Sequence, residues 1–286
     1  MGESCIPVNP QRVAILDADI SLDTALALGV KPIGTTRHES SYLNAKLNKV
    51  PSLGKPQTPS LEAIVALKPD LILGFSWYHK NIYDQLAQIA PTVITNYEHG
   101  SDTKKIITLV GSALGKEAAT QQLIANYFAR LAEFKSKMGS RLQNYQVSVV
   151  RIQENNFGLL QRGSYSGVIL EDAGLSRPAS QQYSEVHKAG RVWRHIQINI
   201  SNERIPDLDA DALFIVASED TDSQQRVETL KANPLWSKLN VVQQGKVYQV
   251  SDYWLVGGPI ALNLVIDDLF KYLVSSENET ASLAQN

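Results

Sequence analysis

Residues 116–142 contain no proline, and their one glycine, Gly139, stands near the end. A proline inside a helix removes a hydrogen bond and costs about 3 kcal/mol, so its absence over such a run is a strong constraint. Alanine, glutamine, glutamate, lysine and arginine fill most positions, while Leu123, Tyr127, Leu131 and Phe134 recur at helical spacing. The stretch therefore predicts one helix of about seven turns, roughly 40 Å long. A long surface helix of a single large domain is one reading. Alternating strand and helix patterns run to Ile107 before it and restart at Gln146 after it, which favours a spine between two lobes.

Short β-branched or aliphatic runs at 12–16, 71–74, 92–94, 146–152, 212–216 and 246–250 read as strands, with helical patterns between them. Residues 60–67 illustrate the helices. Ser60 stands at the N-cap, Glu62 adds first-turn negative charge, and Pro69 ends the element. Strands fed by helices in this order imply mainly parallel sheets. The expected architecture is thus α/β: a lobe over 1–115, the linking helix over 116–142 and a second lobe over 143–275. The polar residues 276–286 lack a periodic face and read as a tail.

Composition narrows the function. The 286 residues are 43% hydrophobic and 20% charged, ordinary values for a globular protein. A formal net charge of −2 argues against nucleic acid as the main partner. No apolar run approaches the roughly 20 residues of a membrane-spanning helix. Cys5 is the only cysteine, so neither an intrachain disulfide nor a cysteine-based metal cluster is available. The first residues show no basic n-region or apolar h-region, so the chain is either cytosolic or follows a removed leader. Cys5 is a candidate lipidation site, but Gly2-Glu3-Ser4 is a poor lipobox. There is no Gly-x-Ser-x-Gly elbow, phosphate loop or His-Glu-x-x-His, which leaves catalysis little to act through.

Ligands of open α/β lobes sit beyond the carboxyl ends of the strands. Trp77, Tyr78 and His79 follow the strand at 71–74 and fall in such a position. So does Arg37, after a short apolar segment, where a guanidinium fork suits the paired oxygens of an anionic ligand such as a carboxylate. The second half is rich in arginine near strand ends. Arg151 closes the run 147–150, Arg162 and Tyr165 follow an expected hairpin turn, and Arg191, Trp193 and Arg194 share one loop. Such loops are usually solvated faces; several converging in a slightly acidic protein favour an anion site. His79 or His195 could complete a metal coordination shell, although the five histidines are scattered.

Three stretches carry a family resemblance. They are Pro-Ser-Leu-Glu-Ala-Ile-Val-Ala-Leu-Lys-Pro-Asp-Leu-Ile-Leu-Gly at 59–74, Ile-Ser-Asn-Glu-Arg-Ile-Pro-Asp-Leu-Asp-Ala-Asp-Ala-Leu-Phe-Ile at 200–215, and residues 233–254, which begin Asn-Pro-Leu-Trp-Ser-Lys-Leu and end Ser-Asp-Tyr-Trp. In this order, flanking the helix, they resemble the helical-backbone class of ABC substrate-binding proteins, which handles iron–siderophores, haem and cobalamin. The opening residues 2–12 are similar to the start of a mature ferric-siderophore binder, which implies a removed leader. The resemblance implies a periplasmic or otherwise extracytoplasmic protein, monomeric and not an enzyme. It implies a ferric siderophore held between the lobes and delivered to an ABC permease, with no intrinsic cofactor.

Residue roles follow from the same resemblance. Tyr78 and Trp254 match ligand-contacting aromatics of the ferric hydroxamate binders. Glu203, and less closely Asp84, match acids that pair with permease arginines. Where those relatives place a ligand-contacting arginine, this chain has Gly54-Lys55-Pro56-Gln57, which leaves the siderophore type open. Trp236 and Leu239 read as core anchors. An anionic ferric hydroxamate or citrate-hydroxamate is the favoured ligand. Haem or cobalamin binding, or an α/β enzyme acting on an anionic small molecule, are the alternatives.

Overall fold

The computed structural model describes residues 5–37, 42–153, 156–185, 188–189 and 192–275, with the backbone alone at 188, 189, 192, 193 and 275. The chain divides into two compact units. One comprises Met1–Glu98, Asp102–Tyr127 and Val256–Leu262, the other His99–Ser101, Phe128–Leu255 and Asn263–Asn286. The division falls inside the long helix, after Tyr127, and not at its ends, and the chain re-enters the first unit at Val256. The expected tail, 276–286, lies outside the described residues.

In the first unit, β1 (Val13–Ile15), β2 (Gly34–Thr35), β3 (Leu71–Phe75) and β4 (Thr92–Thr95) form an all-parallel sheet in the order β2-β1-β3-β4. Helix Leu61–Leu67 starts as the sequence predicts, with the Ser60 hydroxyl accepting the Ala63 N–H at 3.2 Å. Lys68 then takes φ 47° ahead of Pro69, and the chain reverses into β3. The Asp70 carboxylate accepts the N–H groups of Gln11 (2.8 Å) and Arg12 (2.9 Å), tying the start of β3 to the start of β1. Ala14, Leu16, Ile64, Ile72 and Leu86 pack into one buried cluster beneath this sheet.

The second unit is built on β5 (Val147–Ile152), β6 (Phe157–Leu160), β7 (Gln197–Ile200), β8 (Ala212–Val216) and β9 (Val247–Val250), in the order β7-β6-β5-β8-β9. Here β5, β8 and β9 run parallel, while β6 and β7 pair antiparallel at one edge. That edge departs from purely parallel patterning. The Asp70 device recurs, for Asp211 before β8 accepts the Gln146 N–H before β5 at 2.7 Å. Trp236 and Leu239 lie in the core of this unit, as expected.

Helix Glu117–Met138 continues as a 3-10 turn, Gly139–Leu142. Tyr127, Leu131, Phe134 and Met138 bury its stripe, and Leu123 is half-buried. Helix Pro259–Leu269 begins against Asp23, whose buried carboxylate accepts the N–H groups of Ile260 (2.7 Å) and Ala261 (3.0 Å) and the Tyr42 hydroxyl (2.6 Å). The adjacent glycine pair serves this close approach. A Cβ at Gly258 would stand 2.9 Å from Asp23 Oδ1, and one at Gly257 2.5 Å from the Tyr42 hydroxyl. Among the described residues no helix is long and apolar enough to cross a membrane.

Candidate functional site

The four parallel strands of the first unit's main sheet end at one sheet edge, and polar residues gather there. Asp17 accepts the Ser21 N–H (3.1 Å) and hydroxyl (2.6 Å) at the start of helix Ile20–Ala27, and Thr95 Oγ1 donates to it at 3.4 Å. Burial pushes the Asp17 carboxyl up to about 6, against the hydrogen bonds that favour its charged form. The same burial raises Asp23 to about 6. The turn Ser76–His79 follows β3, and Ser76 Oγ donates to Asn96 Oδ1 at 2.6 Å. Trp77 is 58% exposed, while Tyr78 is half-buried and meets Phe75 edge-on with ring centroids 5.8 Å apart.

Two sequence candidates in this unit prove structural. Arg37 directs its guanidinium into the protein, where Nη2 donates to the Leu47 carbonyl at 3.1 Å and to that of Val50, while Nε is buried. It clamps a loop and does not present a free fork. His79 is fully buried. Its Nδ1 accepts the Phe75 N–H at 2.9 Å and its Nε2 lies 2.8 Å from the Pro56 carbonyl. Both ring nitrogens are engaged, and burial lowers its pKa, so it is a neutral fastener and not an iron ligand.

In the second unit, Arg151 stands on β5 with buried neighbours on either side, and it alone of that strand is exposed. Desolvation by the protein pushes its pKa down, yet its side chain has no hydrogen-bond or ion-pair partner among the described residues. Arg194 is likewise exposed and lies over the Tyr183 ring, 5.8 Å from the centroid. Tyr183 is itself 50% exposed. Nothing in its sequence context marked Tyr183, since its role comes from lying beneath a guanidinium 11 residues away.

Other candidates here are corrected. Arg162 pairs with Glu171 on the adjoining helix, so its charge is already matched. Tyr165 is 1% exposed, a core residue in the first turn of helix Tyr165–Asp172. Trp254 is fully buried. It stacks on Phe214 with centroids 4.4 Å apart, and its indole N–H donates to Asp268 at 2.8 Å. A ring so placed belongs to the core and not to a ligand lip. His195 is fully buried and stacked on His99, 5.8 Å between centroids and 7° between planes. Among the described residues no three histidine, cysteine or acidic side chains gather to hold a metal. Arg191 lies outside the described residues, as does the Trp193 side chain, although the Trp193 backbone pairs with that of Lys188.

Sequence reasoning also missed Arg177, 3% exposed, whose Nη2 donates to the Leu160 carbonyl at 2.5 Å and to Gln181 Oε1. Gln181 in turn donates to Ser148 Oγ at 2.6 Å and accepts the Val149 N–H at 3.0 Å. This buried network braces the loops that carry residues 162–165 and 177–184. The two acids read as docking residues are both exposed. Asp84 lies in the first turn of helix Tyr83–Ile89, and Glu203 in the turn Asn202–Leu208.

Comparison with known proteins accounts for this architecture. The chain is 33% identical over 282 residues to a probable siderophore-binding lipoprotein of Bacillus subtilis, covering 95% of this chain and 85% of that one. It is 32% identical over 272 residues to the achromobactin-binding periplasmic protein of Dickeya dadantii, covering 91% and 85%. The crystal structure of Staphylococcus aureus SirA complexed with staphyloferrin B matches with a TM-score of 0.79 and 30% identity, over 96% of each chain. A family model described as periplasmic binding protein matches residues 13–253. With a match of that extent and relatives this close, the chain belongs to the periplasmic binding protein family, a class of binding proteins and not of enzymes.

Proposed function

We propose that the chain captures an anionic ferric siderophore, of hydroxamate or citrate-hydroxamate type, and delivers it to the permease of an ABC importer for iron uptake. The observation that carries this reading is the contrast among the arginines. Arg37, Arg162 and Arg177 are engaged within the protein, whereas the guanidinium groups of Arg151 and Arg194 have no anionic partner among the described residues. A guanidinium gives bidentate, charge-assisted hydrogen bonds to the oxygens of a metal-chelating ligand. The exposed faces of Tyr183 and Trp77 add apolar contact for its organic frame. Iron on this reading is cargo, enclosed in its chelator.

By their own descriptions the Bacillus relative is a probable siderophore-binding lipoprotein, the Dickeya relative is an achromobactin-binding periplasmic protein, and SirA is complexed with staphyloferrin B. By the same likeness this chain acts outside the cytoplasm. Asp84 and Glu203 serve as its permease-facing acids, and their exposure supports that role.

The test is a tryptophan-fluorescence titration with ferric hydroxamate, ferric citrate, ferric staphyloferrin B, ferric catecholate, haem and cobalamin. Saturable quenching by one or more of the anionic ferric chelates, with none by haem or cobalamin, is the expected result. Binding confined to haem or cobalamin would overturn the siderophore assignment. Turnover of an added acid substrate would replace the transport reading with a catalytic one.

A further inference from the structure

Strand register in the second unit gathers three amide side chains beside Arg151. Asn199 on β7 and Arg151 on β5 both pair with Gly158 on β6 between them, so their side chains leave the sheet on one face. Gln197 lies two residues before Asn199, and Gln153 two residues after Arg151, which places both on that same face. Gly158 adds no side chain there, and the Gln197 amide lies across it. A Cβ at Gly158 would stand 2.3 Å from Gln197 Cδ and 2.5 Å from its Nε2. Over this gap Gln197 Nε2 donates to Gln153 Oε1 at 2.8 Å and to Asn199 Oδ1 at 2.6 Å.

Hydrogen-bond accounting fixes what this cluster presents. A primary amide carries two N–H donors and one carbonyl oxygen. Gln197 uses both of its donors on its neighbours, and the carbonyl oxygen of each neighbour is thereby taken. The NH2 groups of Gln153 and Asn199 are left without a partner among the described residues, as is the Arg151 guanidinium, and Asn199 is exposed. The cluster therefore offers two oriented neutral donors beside a cation with five N–H groups. It fits a ligand whose outer surface carries several acceptor oxygens, at least one of them anionic. A carboxylate meets the Arg151 fork in bidentate fashion, and carbonyl or hydroxyl oxygens next to it meet the two amides.

We propose that Gln153 and Asn199 are ligand-contacting donors aimed by Gln197, and that with Arg151 they select a ferric chelate bearing a peripheral carboxylate over a neutral hydroxamate. Gln197 is a positioning residue, since both of its N–H groups are held within the cluster. Gly158 belongs to the same device, because a side chain there displaces the Gln197 amide. The inference rests on the reading of Arg151 as an anion-binding group, and narrows the ligand to the carboxylate-bearing side of that reading.

The test is a tryptophan-fluorescence titration of the full chain with ferric citrate, ferric aerobactin (a citrate-hydroxamate) and ferrichrome (a neutral trishydroxamate). The parent should bind at least one of the first two more tightly than ferrichrome. Gln197→Ala removes the bridging amide, and Gly158→Ala pushes it aside. Each should weaken binding of the tighter carboxylate chelate about tenfold, while the far-ultraviolet circular dichroism stays that of the parent. The double variant should bind as the single variants do, because both changes act on one amide. Losses that multiply in the double variant would show that Gly158 acts through its strand, and would overturn the bridge. Parent-like affinity in Gln197→Ala would overturn the whole inference and leave the reading of Arg151 standing. Ferrichrome binding as tightly as both carboxylate chelates, or more tightly, would overturn the selectivity. If the parent binds no ferric chelate at all, the siderophore reading itself falls, and the inference with it.

Discussion

The two units tie their sheets together in the same way, yet they use their charged side chains oppositely. In each, an aspartate ahead of a strand, Asp70 or Asp211, accepts backbone N–H groups from the segment ahead of its parallel neighbour. In the first unit the charged groups near the carboxyl edge are turned inward. Asp17 and Asp23 cap helix starts, and Arg37 clamps two carbonyls. In the second, Arg177 is the inward charge and Arg151 and Arg194 stand exposed without a carboxylate. Shared strand-tying chemistry therefore says nothing about ligand chemistry. What separates the units is which charges have been left for something outside the protein.

The largest effect that would sharpen this contrast comes from the tryptophans. Trp254→Ala should cost about 3–5 kcal/mol in urea unfolding, because it empties a buried ring site and removes the indole donor to Asp268, leaving the Tyr253 hydroxyl. Trp77→Ala should stay within about 0.5 kcal/mol of the parent, as surface changes do. Equal losses would show that Trp77 is packed, or that Trp254 is not.

The buried acids come next, through pH. Asp17 and Asp23 hold their protons to about 6, above the ordinary carboxylate value. Between about pH 4 and 6 the unfolded chain releases protons that the folded chain keeps, so these groups make stability fall as pH rises. Each accounts for up to about 3 kcal/mol, at 1.36 kcal/mol per pH unit of displacement. Asp23→Asn removes one of the two sites, and its unfolding free energy should fall less steeply over this window than the parent's. An unchanged slope would mean that Asp23 is charged throughout.

Arg37 and Arg194 offer a paired comparison of intermediate size. Arg37→Ala removes the side-chain donor to the Val50 carbonyl and leaves the Leu47 carbonyl only the Val50 N–H, and should cost about 1–3 kcal/mol of stability, with ligand affinity unchanged. Arg194→Ala should do the reverse, leaving stability intact and weakening ferric-ligand binding about tenfold, or ~1.4 kcal/mol. The strand-tying aspartates compare the two units directly. Asp70→Ala should cost about 2 kcal/mol and Asp211→Ala about 1 kcal/mol, since the first frees two amides and the second one. A much larger loss in one unit would break their equivalence.

Much of the fold was legible because it depends on local pattern. The parallel strands, the Ser60 cap, the long helix and the core position of Trp236 all follow from periodicity and chain-reversal residues. The β6–β7 edge was not, because Phe-Gly-Leu-Leu and Gln-Ile-Asn-Ile are short and their pairing spans a gap of 36 residues between Leu160 and Gln197. The candidate site was legible only in part. Arg151 emerges from β5 as its position suggests, but Arg37, His79 and Trp254 are engaged by carbonyls and a carboxylate that lie 10 to 23 residues away in sequence. Sequence shows which residue types could bind a ligand; tertiary structure decides which of them the protein has already used. Tyr183 and Arg177 show the converse, gaining their roles from neighbours that no motif records.

The most direct test of the account is calorimetric titration of a bound ferric siderophore into the parent chain and the Arg151→Ala/Arg194→Ala double variant. If these two arginines hold the anion, the double variant should bind at least about a hundredfold more weakly, a loss of ~2.8 kcal/mol, with an unchanged unfolding midpoint. An affinity equal to the parent's would contradict the claim that the second unit's free cations form the binding surface.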